Sequence, residues 1–142
     1  MTATPQSLII NSAFTEPQQH WAENADRTLR LEPARRPAGY EIIDTRENTR
    51  RQVPIPLVDT IRDRVRQWRL DGWPGTTAIT LALLQHWWDA DKVSRRQWPF
   101  YFCQLEAIET LIWHLEALPE YRQGIHIQGD GGEFERLCNK MA

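Results

Sequence analysis

The chain is poor in the features that most readily announce a function. Its 142 residues include only two cysteines, Cys103 and Cys138, which excludes a disulfide framework. No apolar run is long enough to cross a bilayer, and the N-terminus carries no signal-peptide pattern. A cytoplasmic protein with no membrane partner is therefore expected. The four histidines, His20, His86, His114 and His126, show no metal-ligand spacing. The formal net charge is only −2, so nothing in the overall balance draws the chain to nucleic acid, and such binding would need a local basic patch. There is no internal repeat and no low-complexity tract.

What remains is an ordinary globular composition with one excess. Charged residues make up 25% and the hydrophobic set 41%, values that exclude a disordered chain. Seven tryptophans, at 21, 68, 73, 87, 88, 98 and 113, are many for this length. Each brings a large apolar area and one N–H to satisfy. Seven are hard to bury in a small domain, so some are expected to face further chain or a partner.

Residues 1–52 read as a loop-rich extension with short strands. Ser7 to Ile10 suits one strand, and Thr28 to Leu31 suits pairing with Tyr40 to Ile43 across turns at Pro33 and Pro37-Ala38-Gly39. Asp44 to Gln52 is polar enough for a linker. Residues 53–97 read as a helical region. Leu57, Ile61, Val65 and Trp68 recur at helical spacing over 57–71. Pro54 and Pro56 suit that helix's entry, and Gly72-Trp73-Pro74-Gly75 its end. Thr76 or Thr77 can cap a second helix reaching about Ala90, apolar over a wide arc. After a break at Ser94 to Pro99, a third helix is expected from Phe100 to about Ala117. Tyr101, Leu105, Ile108, Ile112 and Leu115 would form its packed face. Glu106, Glu109 and Glu116 would form the other, with Trp113 open to an interface. Ile125 to Ile127 reads as extended, Gly129 to Gly132 as a turn, and Phe134 to Ala142 as either a short helix or a strand.

Chemistry-bearing candidates are few. Gln104 is a polar residue near the start of an aromatic-rich helix, and its bland role is an amide satisfied locally. Arg35-Arg36, Arg50-Arg51, Arg95-Arg96 and the set Arg62, Arg64, Arg66 and Arg69 are basic groups. They suit either a solvated surface paired with Asp59, Asp63 and Asp71 or a phosphate-contacting patch. Arg35, Arg36, Arg95 and Arg96 are the nucleic-acid candidates. Glu106 and Glu109 have a spacing that a carboxylate-pair hydrolase could use, but no sequence feature supplies a cleft for them.

In order, Asn11 to Pro17, His20-Trp21, Arg35 to Tyr40, Ile61-Arg62, Trp68-Arg69, Trp73 to Thr77, Leu84, His86-Trp87, Cys103 to Trp113 and Gly131 to Ala142 form a pattern. That pattern resembles the N-terminal part of a DEAD/DEAH-box helicase family protein, in particular the type III restriction enzyme Res subunit. The resemblance implies a mainly α chain with short β elements, in which 98–142 begins a RecA-like α/β lobe. It implies that Phe134 to Ala142 is the lobe's first strand. Gln104 would read adenine, its carbonyl accepting from the exocyclic amine and its NH2 donating to a ring nitrogen. Ala142 would open motif I, whose lysine and threonine, the contacts for the phosphates of ATP and for Mg2+, lie beyond the chain. Unlike the DEAD-box proteins proper, this chain has Tyr101-Phe102-Cys103 before Gln104, which leaves the aromatic partner of adenine open among Trp87, Trp98 and Phe100. The implied partners are DNA, the C-terminal motor lobes of the same protein and a methyltransferase subunit. The implied activity belongs to the whole protein, since these residues alone hold no phosphate loop. The competing expectation is a stand-alone helical adaptor that binds protein or nucleic acid without catalysis.

Overall fold

Helical and extended segments divide the chain cleanly. The computed structural model describes residues 8–125, and within them lie five helices and two small antiparallel sheets. Strand β1 (His20–Glu23) pairs with β2 (Leu29–Glu32), and β3 (Gly39–Asp44) with β4 (Thr49–Pro54). Both hairpins turn on local polar chemistry. In the first, the Asp26 carboxylate accepts from the Thr28 N–H and hydroxyl, with Arg27 left-handed at φ 66°. In the second, the Asp44 carboxylate accepts from the Arg46 and Glu47 N–H groups, and Asn48 takes φ 52°.

This pairing corrects three sequence expectations. Leu8 to Ile10 form no strand. The segment around Thr28 to Leu31 pairs backward with His20 to Glu23, not forward with Tyr40 to Ile43. Much of the expected linker Asp44 to Gln52 is strand, because a tight turn lets its charged residues alternate along a solvated hairpin. Gly39 sits at the end of that hairpin, where a Cβ would lie 2.7 Å from the Val53 carbonyl oxygen, so a side chain has no room.

Helix α1 (Pro56–Leu70) begins with proline in its first turn, where no N–H is needed, and ends at Asp71. Next, Gly72 (φ 83°), Trp73 (φ 57°) and Gly75 (φ 97°) reverse the chain through three left-handed residues. The turn is pinned from within, since the fully buried Trp68 donates its indole N–H to the Pro74 carbonyl at 2.9 Å. Thr77 then caps α2 (Ala78–Trp88) by accepting from the Thr80 N–H. A short α3 (Ala90–Ser94) and an open stretch precede α4 (Phe102–Glu116), and α5 (Pro119–Arg122) closes the described chain. Val65, Trp68, Leu84, Trp113 and Ala117 form the core, with Ile61, Trp73, Trp87, Trp88 and Tyr121 packed around it.

Helix α4 is turned from its expected orientation. Phe102, Leu105, Glu109 and Trp113 are its buried residues, while Leu111 and Leu115 are 59% and 67% exposed. Trp113, expected at an open interface, is 1% exposed. The physical reason is charge. Glu106 and Glu109 find arginine partners inside the molecule, so the carboxylate-bearing face packs inward. The readings of 126–142, including Gly129 to Gly132 and Phe134 to Ala142, lie outside the described residues.

Candidate functional site

The start of α4 carries the candidate Gln104 and meets the N-terminal segment. The N-terminal segment reaches it through the Ala13 carbonyl, which accepts from the Phe102 N–H at 2.9 Å, and through Phe14, whose ring stacks on Tyr101 at 5.4 Å. Gln104 stands exposed in the first turn. Its Oε1 accepts from the Tyr101 N–H at 3.0 Å, satisfying a donor left free at the helix start. Its NH2 group has no hydrogen-bond partner among the described residues. An amide oxygen has two lone pairs, so the bond to Tyr101 holds the amide in place and leaves one acceptor site and both donors usable.

One turn deeper, an ionic seam joins α4 to α1 and to the N-terminal segment. Arg35 grips Glu106 with two parallel bonds, 2.6 and 2.8 Å, the fork geometry that makes guanidinium–carboxylate pairs strong. It also reaches Glu16 at 3.2 Å and lies 5.5 Å from the centre of the Phe102 ring. Glu16 bridges onward to Arg66. Burial acts to raise the Glu16 pKa, but the bonds and charges of Arg66 and Arg35 outweigh it and hold the carboxyl below the usual range. Both arginines are correspondingly pushed upward, with the bonds to Glu106 and Glu16 as the main causes.

The innermost pair is Arg69 and Glu109. Glu109 is fully buried and accepts three bonds, from Arg69 Nε at 2.8 Å, Arg69 Nη2 at 2.6 Å and Trp73 Nε1 at 2.8 Å. The Arg69 guanidinium also lies 3.8 Å above the Trp88 ring. The carboxylate is thus saturated and enclosed, which suits a structural role and leaves no room for the acid–base pair that the spacing of Glu106 and Glu109 permitted. Sequence reasoning missed this seam and the part Glu16 plays in it. The signal was present: Arg62, Arg66 and Arg69 fall at i, i+4 and i+7 on α1, as the glutamates do with Phe102 and Trp113 on α4.

The four nucleic-acid candidates separate. Arg35 is committed to carboxylates. Arg36 donates to the Trp21 carbonyl and Arg96 to the His86 carbonyl. Arg95 is exposed with no partner among the described residues. Arg35 and Arg36 share an open cleft of about 560 Å³ with His20, Trp21 and Arg62, while Arg95 and Arg96 are not among its walls. Ala142 lies outside the described residues. Among the described residues no three His, Cys, Asp or Glu side chains converge as a metal site. Among the described residues no helix is long and apolar enough to cross a membrane. Comparison with protein-family models, with curated proteins and with solved structures finds no match.

Proposed function

We propose that this chain is the N-terminal part of an ATP-dependent DNA helicase or translocase of the restriction-enzyme Res type, coupling ATP hydrolysis to action on duplex DNA. The observation that carries the reading is Gln104, an exposed amide at the start of a helix, pre-oriented by the Tyr101 N–H with its donors unspent. It stands within the ordered set of motifs that ends at Ala142. In this reading Gln104 recognises adenine, Ala142 leads into the phosphate loop, and 98–142 begins a RecA-like lobe. ATP and Mg2+ are bound only by the longer protein. Arg36, Arg95 and Arg96 are the candidates with most donors left for a DNA backbone, whereas Arg35 is engaged by Glu106 and Glu16.

The test is nucleotide selectivity in a protein continuing past Ala142. Gln104→Ala should weaken ATP binding about tenfold, or ~1.4 kcal/mol, and leave GTP binding unchanged. Equal loss for both nucleotides, or no loss, removes the adenine role. The 142-residue chain should hydrolyse no ATP. A second reading, a stand-alone helical adaptor binding protein or nucleic acid, is favoured by one observation. The bond from the Tyr101 N–H already gives Gln104 a sufficient structural task. Unchanged nucleotide affinity alongside lower helix stability in Gln104→Ala would select it.

A further inference from the structure

The open cleft of about 560 Å³ bordered by the N-terminal segment, β1 and the start of α1 carries charge of one sign. Arg35, Arg36, Arg62 and His20 are among its lining residues, and no Asp or Glu is. The nearby carboxylates are engaged elsewhere. Glu106 and Glu16 accept from Arg35, and Asp59 accepts from the Ala38 N–H and from Arg62. Arg36 enters no ion pair among the described residues. It gives one bond, to the Trp21 carbonyl, and keeps its other donors. An uncompensated planar guanidinium at the wall of a cleft calls for an anion with paired oxygens.

The walls are set before any ligand arrives. Along β1, Trp21 Nε1 donates to the Leu8 carbonyl at 3.0 Å and Asn11 Nδ2 to the Gln19 carbonyl at 2.8 Å. Gln19 Nε2 donates to the Ile10 carbonyl at 2.7 Å. Opposite them, His20 Nδ1 donates to the Ala34 carbonyl at 2.7 Å, and the Ala38 N–H reaches Asp59 at 2.9 Å. These bonds belong to no helix or strand ladder, and they lower the cost of ordering the cleft around a ligand. Pro37, Ile55 and Val58 add apolar surface beside Trp21. A few charged donors over an apolar lining, in a volume inside the ~300–1,000 Å³ span of small-molecule sites, suit a compact ligand. A DNA duplex presents its phosphates on a convex surface, with no apolar body to fill such a hollow.

We propose that this cleft binds a small organic anion, a carboxylate or phosphate monoester on an apolar ring, with its oxygens at Arg36 and its ring against Trp21 and the start of α1. Gln104 is not among the walls, so the site holds for a motor fragment and an adaptor alike. It gives Arg36 a task other than the DNA backbone and leaves Arg95 and Arg96 for that contact.

The experiment titrates phenyl phosphate into the full 142-residue chain with isotope-labelled nitrogen and follows the seven tryptophan indole N–H signals. A saturable shift of the Trp21 signal is expected, with the signal of Trp98, 85% exposed and outside the cleft, unmoved. Arg36→Gln should weaken binding about tenfold, and Arg95→Gln by less than about twofold. Arg36 is exposed, so the other six indole signals should keep their positions. If they do not, Arg36→Lys, which keeps the charge and loses the fork, takes its place and should weaken binding about threefold. Benzoate should compete, and the uncharged benzyl alcohol should not. No saturable Trp21 shift, or equal losses in the Arg36 and Arg95 variants, overturns the proposal. Inorganic phosphate binding as tightly as phenyl phosphate also overturns it, because the cleft then holds an ion alone. So does a short DNA duplex that shifts the Trp21 signal and resists displacement by excess phenyl phosphate, because the cleft then reads a nucleic-acid backbone.

Discussion

The β3–β4 hairpin and the α1–α4 seam use similar residues to opposite effect. Every residue of β3 is exposed, including Tyr40, Ile42 and Ile43, and its cross-strand partners Arg50 and Arg51 are exposed as well. In the seam, arginines of the same kind are turned inward and saturated by Glu16, Glu106 and Glu109. The hairpin is held by its own backbone ladder and by the Ala38 N–H, which donates to Asp59 at the start of α1. The seam is held by side chains distant in sequence. The same charges are therefore ornamental to stability in one region and decisive in the other, and burial sets the difference.

The comparison breaks most visibly at Glu109. Glu109→Ala leaves the Arg69 guanidinium enclosed without its anion and the Trp73 N–H without an acceptor. A loss of about 3–5 kcal/mol is expected, read by urea denaturation as a large fall in midpoint, and an effect below ~1 kcal/mol would show that water reaches the seam. A smaller effect follows from acid. Because the folded-state pKa of Glu16 lies below its ordinary value of 4.5, its contribution is complete above that value. It fades as pH falls through the folded-state pKa. Denaturation curves at about pH 7 and about pH 3 should show the wild type losing more stability than Glu16→Gln. Equal losses would place Glu16 outside the seam's energetics. The smallest effect belongs to the hairpin: Ile43→Thr should change stability by no more than about 0.5 kcal/mol. Its β3 amides should exchange with solvent well before those of α1 around Trp68. A larger loss would mean that the exposed strand is covered in solution.

Sequence reasoning located α1, α2 and α4 because their signals are local, and it missed the short α3 and α5. Pro56, the Gly72 to Gly75 turn and the Thr77 cap each act within a few residues. Of the hairpins, β2 and β3 were legible as strands, but β1, β4 and the pairing were not, since Asp26 and Asp44 order their turns through side chains that a hydropathy pattern does not register. The orientation of α4 was misread for a related reason. Hydropathy assigns glutamate to water, and only the distant positions of Arg35 and Arg69 reverse that assignment. Of the candidate site, the sequence marked Gln104 and the paired arginines. It did not reveal that Tyr101 holds the amide or that Arg35 is engaged by Glu106 and Glu16.

The ionic seam also has a thermal signature. Hydration of charged groups becomes less favourable on heating, so the cost of enclosing Arg69 and Glu109 falls as temperature rises, while apolar burial levels off. The contact between α1 and α4 should therefore be among the last parts of the molecule to weaken on warming, and cooling should not tighten it.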